Sequence, residues 1–128
     1  MIGYVTLGTA DIEKSAVFYD AIAKEMGVGR MMEEAGSFIA WGTMEGEAAS
    51  IGIIKPFDGN VASVGNGVMV ALHAKDQAQV DAIYKTAITQ GGICEGEPGP
   101  RGDSGFYAAY FRDLDGNKLN AFCMVAPD

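Results

Sequence analysis

Apolar and polar residues alternate along Tyr4–Leu7 (YVTL), and after Asp11 the spacing lengthens to that of a helix, with Ile12, Tyr19, Ile22 and Met26 near one face. The same succession recurs later in the chain. "YVTLGTADIEKSAVFYDAIAKEMG" begins at Tyr4 and "MVALHAKDQAQVDAIYKTAITQGG" begins at Met69, and a shift of 65 residues superposes them. That shift pairs Val5 with Val70, Leu7 with Leu72, Asp11 with Asp76, Tyr19 with Tyr84 and Gly27 with Gly92. Each copy reads as a short strand, an Asp at the helix N-cap, an amphipathic helix and a glycine at the C-cap, because the side chain at the cap accepts from orphan N–H groups and glycine tolerates positive φ. Gln79 follows Asp76 by three, as in a capping box. The expected helices cover Asp11–Met26 and Asp76–Gln90, with Val80, Ile83, Tyr84 and Ala87 on the buried face of the second.

Strand-like segments follow each helix. In the first half these are "RMMEEA", "SFIAWGTM" and "ASIGII"; in the second, a short stretch around Ile93, then "GFYAAYF" and "KLNAFCM". The pattern predicts an α+β fold of two βαβββ modules with pseudo-twofold symmetry, about 1–56 and 66–126, in one domain over 1–128. The Gly-rich stretch from Phe57 to Gly67 joins them. "DLDGNKLNAF", from Asp113, reads as a β-hairpin turn and its following strand. It does not fit a calcium loop of the EF-hand kind, which needs its glycine sixth and a glutamate twelfth. Counted from Asp113, Gly116 comes fourth and Met124 twelfth.

Composition narrows the function classes. A net charge of −8 disfavours nucleic acid and anionic membrane surfaces, whose affinity for proteins rests on Lys and Arg. The first residues lack the basic and apolar regions of a signal peptide and no apolar run matches a membrane span, so a cytoplasmic location is expected. Cys94 and Cys123 lack CxxC spacing and are expected as reduced thiols. The "RGD" at Arg101–Asp103 is read as loop composition.

With the repeat in place, the chain resembles the vicinal oxygen chelate superfamily, which includes glyoxalase I, the bleomycin and fosfomycin resistance proteins and extradiol dioxygenases. The resemblance is carried by "VTLGTADIEKSAVFYDAI", by "GVMVALHAKDQAQVDAIYKTAITQGG" and by "YAAYFRDLDGNKLNAF", where Leu114 replaces the proline of the family's Asp-Pro-Asp-Gly-Asn turn. It implies a cleft lined by strands, in which catalytic members hold a divalent metal through His on the first strand, His opening the second module and Glu on the last strand. A fourth ligand comes from the end of the first module. The matching positions here are Tyr4, Met69, Asn120 and, for the fourth, Ser50. Phenol, thioether, amide and hydroxyl replace imidazole and carboxylate, so the resemblance implies that the metal site is lost and no cofactor is expected, with a divalent metal as the alternative.

Three functions follow as expectations. The first is a glyoxalase-like protein binding a small-molecule ligand without metal. The second is a metal-dependent lyase or isomerase of the lactoylglutathione lyase type, and the third is a dimeric structural or interaction module. The cleft candidates are Tyr4, Met69, Asn120, Ser50, His73, Tyr107 and Arg101. His73, the only histidine, lies four after Met69 and so on the same strand face; a strand-end histidine bonded to backbone or solvent outweighs a general base there. Tyr107, Phe38 and Trp41 are candidate aromatic walls, and Arg101, in the Gly- and Pro-rich loop "EGEPGPRGDSG", is a candidate anion clamp on a lid. By strand alternation Val5, Val70 and Ala121 should face the helices. A homodimer is expected, because half-barrels leave open edges and the first half is rich in methionine.

Overall fold

The computed structural model describes residues 1–44 and 48–126. The first module runs β1 (Tyr4–Gly8), α1 (Ile12–Glu25), β2 (Gly29–Glu34), β3 (Phe38–Gly42) and β4 (Ser50–Ile54). The second repeats it as β5 (Val70–His73), α2 (Gln77–Thr89), β6 (Ile93–Pro100), β7 (Phe106–Arg112) and β8 (Lys118–Met124). Each module forms its own four-stranded sheet, ordered β1-β4-β3-β2 and β5-β8-β7-β6. In both, the helix carries the chain from one edge of the sheet to the other, and an antiparallel meander then brings the last strand back beside the first, in parallel.

The local reasons are legible residue by residue. The Asp11 carboxylate accepts from the Lys14 N–H at 3.1 Å, and Asp76 accepts from the Gln79 N–H at 2.8 Å, so each helix starts where its acidic cap satisfies an orphan donor. The Gln79 side chain in turn accepts from the Lys75 N–H at 2.8 Å. The end of α2 differs from expectation. Gly91 (φ +98°), and not Gly92, takes the left-handed conformation. Gly92 serves a close approach instead: an added Cβ would lie 2.7 Å from the Ala87 carbonyl oxygen and 2.8 Å from that of Arg112.

A second difference is β6. Expected as a short stretch around Ile93, it extends through Glu95–Pro100, so most of the expected lid is strand. The register with β7 shifts twice, between Cys94 and Gly96 and between Gly96 and Gly99. An edge strand tolerates such bulges and prolines because its outer N–H and C=O groups need no partner strand.

The helix-facing positions repeat between modules. Val5 pairs with Ile51 and Leu7 with Ile53 in the first sheet, and Val70 with Leu119 and Leu72 with Ala121 in the second. Leu7, Ile53, Leu119 and Ala121, with Ile51, Val70 and Leu72 packed beside them, meet the helices in a cluster that includes Phe18, Tyr19, Ile22, Val80 and Ile83 from the helices and Trp41 and Phe111 from the sheets. Phe18 lies 6.4 Å from Phe111, centroid to centroid, and Tyr19 lies 5.5 Å from Trp41, so α1 touches both sheets. Among the described residues no strand of one sheet pairs with a strand of the other, and the two helices pack on each other between them. No described helix is long and apolar enough to cross a membrane.

The β7–β8 turn completes the junction. Asp113 accepts from the N–H groups of Asp115 and Asn117, each at 2.9 Å, which folds the turn on itself. Its other oxygen accepts from the Tyr19 hydroxyl at 2.6 Å and the Asn117 amide at 3.0 Å. Asn117 also donates to the Gly8 carbonyl oxygen at 3.0 Å, and Asp115 accepts from the Ala10 N–H at 2.9 Å. The turn is therefore a clasp that ties the second module to β1 and α1 of the first. Burial, and next the adjacent Asp113 charge, push the Tyr19 phenol well above its ordinary pKa.

Candidate functional site

Alternation along each strand separates a face packed on helices from an outer face. On the first sheet the outer face carries Tyr4, opposite Ser50 in the β1–β4 register. Tyr4 is 64% exposed and meets Phe38 edge-on, with centroids 6.4 Å apart. Ser50 is buried and donates to the Met31 sulfur at 3.0 Å. Trp41 is not an outer wall. It is buried on the α1 side and its indole N–H donates to Asp20 at 2.8 Å. Arg30, at 2.8 Å from the same carboxylate, holds Asp20 below the usual carboxylate range.

The outer face of the second sheet is chemically richer. Ala71 lies opposite Asn120 and His73 opposite Phe122, while Tyr110 flanks Asn120 from β7. His73 stacks on Phe122 at 4.8 Å and 4°, and Phe122 stacks on Phe106 at 5.5 Å and 18°. The histidine is thus the end of an aromatic ladder, and no acid partners it in a hydrogen bond among the described residues. Asn120 is 2% exposed, and its Oδ1 is buried with no hydrogen-bond partner. Arg101 and Lys118 approach the Tyr110 ring at 5.5 and 5.6 Å. Arg112 binds Glu95 at 2.5 Å and holds that carboxyl below its ordinary pKa.

Tyr107 is a correction. Strand alternation turns it, with Ala109 and Phe111, toward α2, where its hydroxyl donates to Asp81 at 2.7 Å; that bond raises the phenol's pKa. It takes no part in the outer face. Of the remaining candidates, Tyr4 and Ser50 share the first sheet and His73 and Asn120 the second, while Met69 immediately precedes β5, so no strand pairing brings Tyr4 against Met69 and Asn120. Val5, Val70 and Ala121 do lie on the helix side. Ser50 and Met69 both border an apolar cavity of about 380 Å³ between the modules, whose walls include Val5, Ile22, Met26 and Leu72.

Sequence reasoning missed Lys118, Phe122 and Tyr110. The first two were reachable by stepping two residues either way from Asn120 along its strand. Tyr110 required the cross-strand register, which no pattern within one strand supplies.

The four positions to which the family resemblance assigned metal ligands, Tyr4, Ser50, Met69 and Asn120, offer a phenol, a hydroxyl, a thioether and a carboxamide. That donor set does not suit zinc or a hard divalent cation, which take imidazole, thiolate or carboxylate oxygen. Among the described residues, no three His, Cys, Asp or Glu side chains are grouped closely enough to hold a metal ion.

No curated protein sequence matches the chain. Among solved structures, a glyoxalase/bleomycin resistance protein from Albidiferax ferrireducens T118 is similar at 35% identity and a TM-score of 0.88, over 98% of this chain and 99% of that one. A hypothetical protein from S. aureus shares 24% identity at a TM-score of 0.71, covering 96% and 92%. A lactoylglutathione lyase from Agrobacterium tumefaciens shares 19% at 0.68, covering 96% and 92%, a likeness of fold alone. The family model for the Glyoxalase/Bleomycin resistance protein/Dioxygenase superfamily matches residues 1–121, and the chain belongs to that family.

Proposed function

We propose that the protein binds a small molecule through the outer faces of its sheets without a metal ion. The observation that carries this reading is the donor set at the four family positions, Tyr4, Ser50, Met69 and Asn120, none of which is an imidazole or a carboxylate. Fold alone would not choose among the family's activities, so the choice rests on these side chains. A phenol and an amide provide directional hydrogen bonds, and Met69 and the stacked aromatics provide apolar contact, the mixture expected of a small-molecule site.

The same reading places a second copy of the chain beside the first. β1 and β5 each leave one edge unpaired, and Ile2, Tyr4, Met32 and Met69 are exposed near them or on the neighbouring outer surface. A dimer would supply from the partner what the single chain does not, a second-module face opposite Tyr4 and Ser50.

The test restores the ligands. A Tyr4→His, Met69→His, Asn120→Glu variant is titrated calorimetrically with Zn²⁺ and Ni²⁺ beside the wild type, with solution mass recorded at tens of micromolar. The expected outcome is a dimer in which the variant gains saturable metal binding and the wild type shows none. Equal saturable binding by the wild type overturns the metal-free reading, and a monomeric mass overturns the dimer.

A further inference from the structure

We propose that the outer face of the second sheet is an anion-binding platform, and that its ligand is a small organic anion with a hydrogen-bond donor beside the charged group. This rests on the reading of metal-free binding and adds the chemical class of the ligand.

Arg101 is held in place without being neutralised. Its guanidinium donates to the carbonyl oxygens of Glu97 at 2.6 Å and Gly99 at 2.9 Å, and it lies against the Tyr110 ring. Gly96 leaves room for it: an added Cβ there would come within 3.1 Å of Nη2. Among the described residues Arg101 forms no ion pair with a carboxylate, and neither does Lys118 on the other approach to the same ring. Glu95 is the one carboxylate among them that pairs with a cation of this group, and Arg112 already occupies it. Two of the chain's nine Lys and Arg residues therefore flank Tyr110 without a carboxylate partner among the described residues, in a protein of net charge −8 whose overall field repels anions. A guanidinium fixed by neutral carbonyls retains N–H groups and its full charge for a carboxylate or phosphate.

The second observation is independent of charge. Asn120 faces Tyr110 in the β7–β8 register, is 2% exposed, and has an Oδ1 with no donor. Buried acceptors are normally satisfied, so this one is open to an N–H or O–H that the described residues do not supply. The His73–Phe122–Phe106 ladder lies on the same face and offers a flat surface to a planar group.

Salicylate combines a carboxylate, an adjacent hydroxyl and a planar ring, and serves as the probe. Amide NMR spectra of the wild type are recorded in EDTA with salicylate, benzoate, phenol and inorganic phosphate. Salicylate is expected to give saturable shifts in β7, β8 and residues 101–105, with benzoate weaker and phenol at least about tenfold weaker. Arg101→Gln and Lys118→Gln should each weaken salicylate about tenfold, the scale of one charge-assisted contact, with the spectra showing an intact fold. Asn120→Ala should erase the preference for salicylate over benzoate. No saturable shift on this face, or salicylate affinity unchanged in both cation variants, overturns the proposal. Phenol binding as tightly as salicylate overturns the anion assignment while leaving metal-free binding intact. Binding that appears only when Zn²⁺ or Ni²⁺ replaces EDTA overturns the parent reading instead.

Discussion

On the first sheet the face turned from the helices carries Tyr4, Phe38, Met31 and Ser50; on the second it carries Asn120, the His73–Phe122–Phe106 ladder and a ring flanked by Arg101 and Lys118. The helix-facing residues of the leading strands are the same in both modules, Val5 and Leu7 against Val70 and Leu72. Their outer neighbours are Tyr4, Thr6 and Gly8 against Met69, Ala71 and His73. One plan of packing thus supports two unlike surfaces. Core positions must fill similar space against a similar helix, and a change of one methylene there is felt. Outer positions have no such constraint, so the chemistry that distinguishes the modules collects on them.

This contrast is open to breakage, and the clasp gives the largest effect. Asp113→Ala removes the acceptor shared by Tyr19, Asn117 and two backbone N–H groups. The expected loss is about 3–5 kcal/mol, as when a buried hydrogen-bonded charge network loses its centre. Urea denaturation measures it; a loss below about 1 kcal/mol would show that the turn contributes little to joining the modules.

Next come paired truncations on one strand. Leu7→Ala, in the core, should cost about 2–4 kcal/mol. Tyr4→Ala, three residues earlier on the outer face and 64% exposed, should stay within about 0.5 kcal/mol of the wild type. Similar losses from both would mean that the outer face is also structural.

The smallest effect is conditional on pH. The folded-state pKa of Tyr19 lies above that of the unfolded chain, so its contribution is complete below about pH 10, where the unfolded phenol begins to ionise, and is lost as pH rises toward the folded value. Wild-type stability should therefore fall between about pH 9 and 11 more steeply than that of Tyr19→Phe. Tyr107 also has a raised value, and it remains in both proteins, so the difference reports Tyr19. Parallel curves would contradict the assigned shift.

Much of the fold was legible because it depends on local signals and one repeat. Asp11 and Asp76 marked helix starts through their caps, and the shared spacing of Val5, Leu7, Val70 and Leu72 marked the buried strand faces. The length of β6 was hidden, since Gly96, Pro98 and Gly99 look like loop residues and only the pairing with β7 makes them strand. In the site, strand alternation placed Asn120 and His73 on one face of the second sheet, whereas Met69, expected on the same strand as His73, immediately precedes β5. It also turns Tyr107 away, but only once the register of β7 is known. The role of Asp113 beyond its own turn was not readable, because its partner Tyr19 is 94 residues away and the bond exists only after the modules meet.

On the proposed reading, the positions that the family resemblance assigns to metal ligands bind no ion, and the metal content of the purified protein decides the matter. The wild-type protein is produced in medium supplemented with zinc, nickel, manganese and iron, purified without chelator, and measured by elemental mass spectrometry together with protein concentration. The expected total is well below one equivalent, on the order of a tenth or less per chain, for a site offering only phenol, hydroxyl, thioether and amide donors. One equivalent of a single metal per chain, lost on substituting Tyr4, Met69 or Asn120, would contradict it.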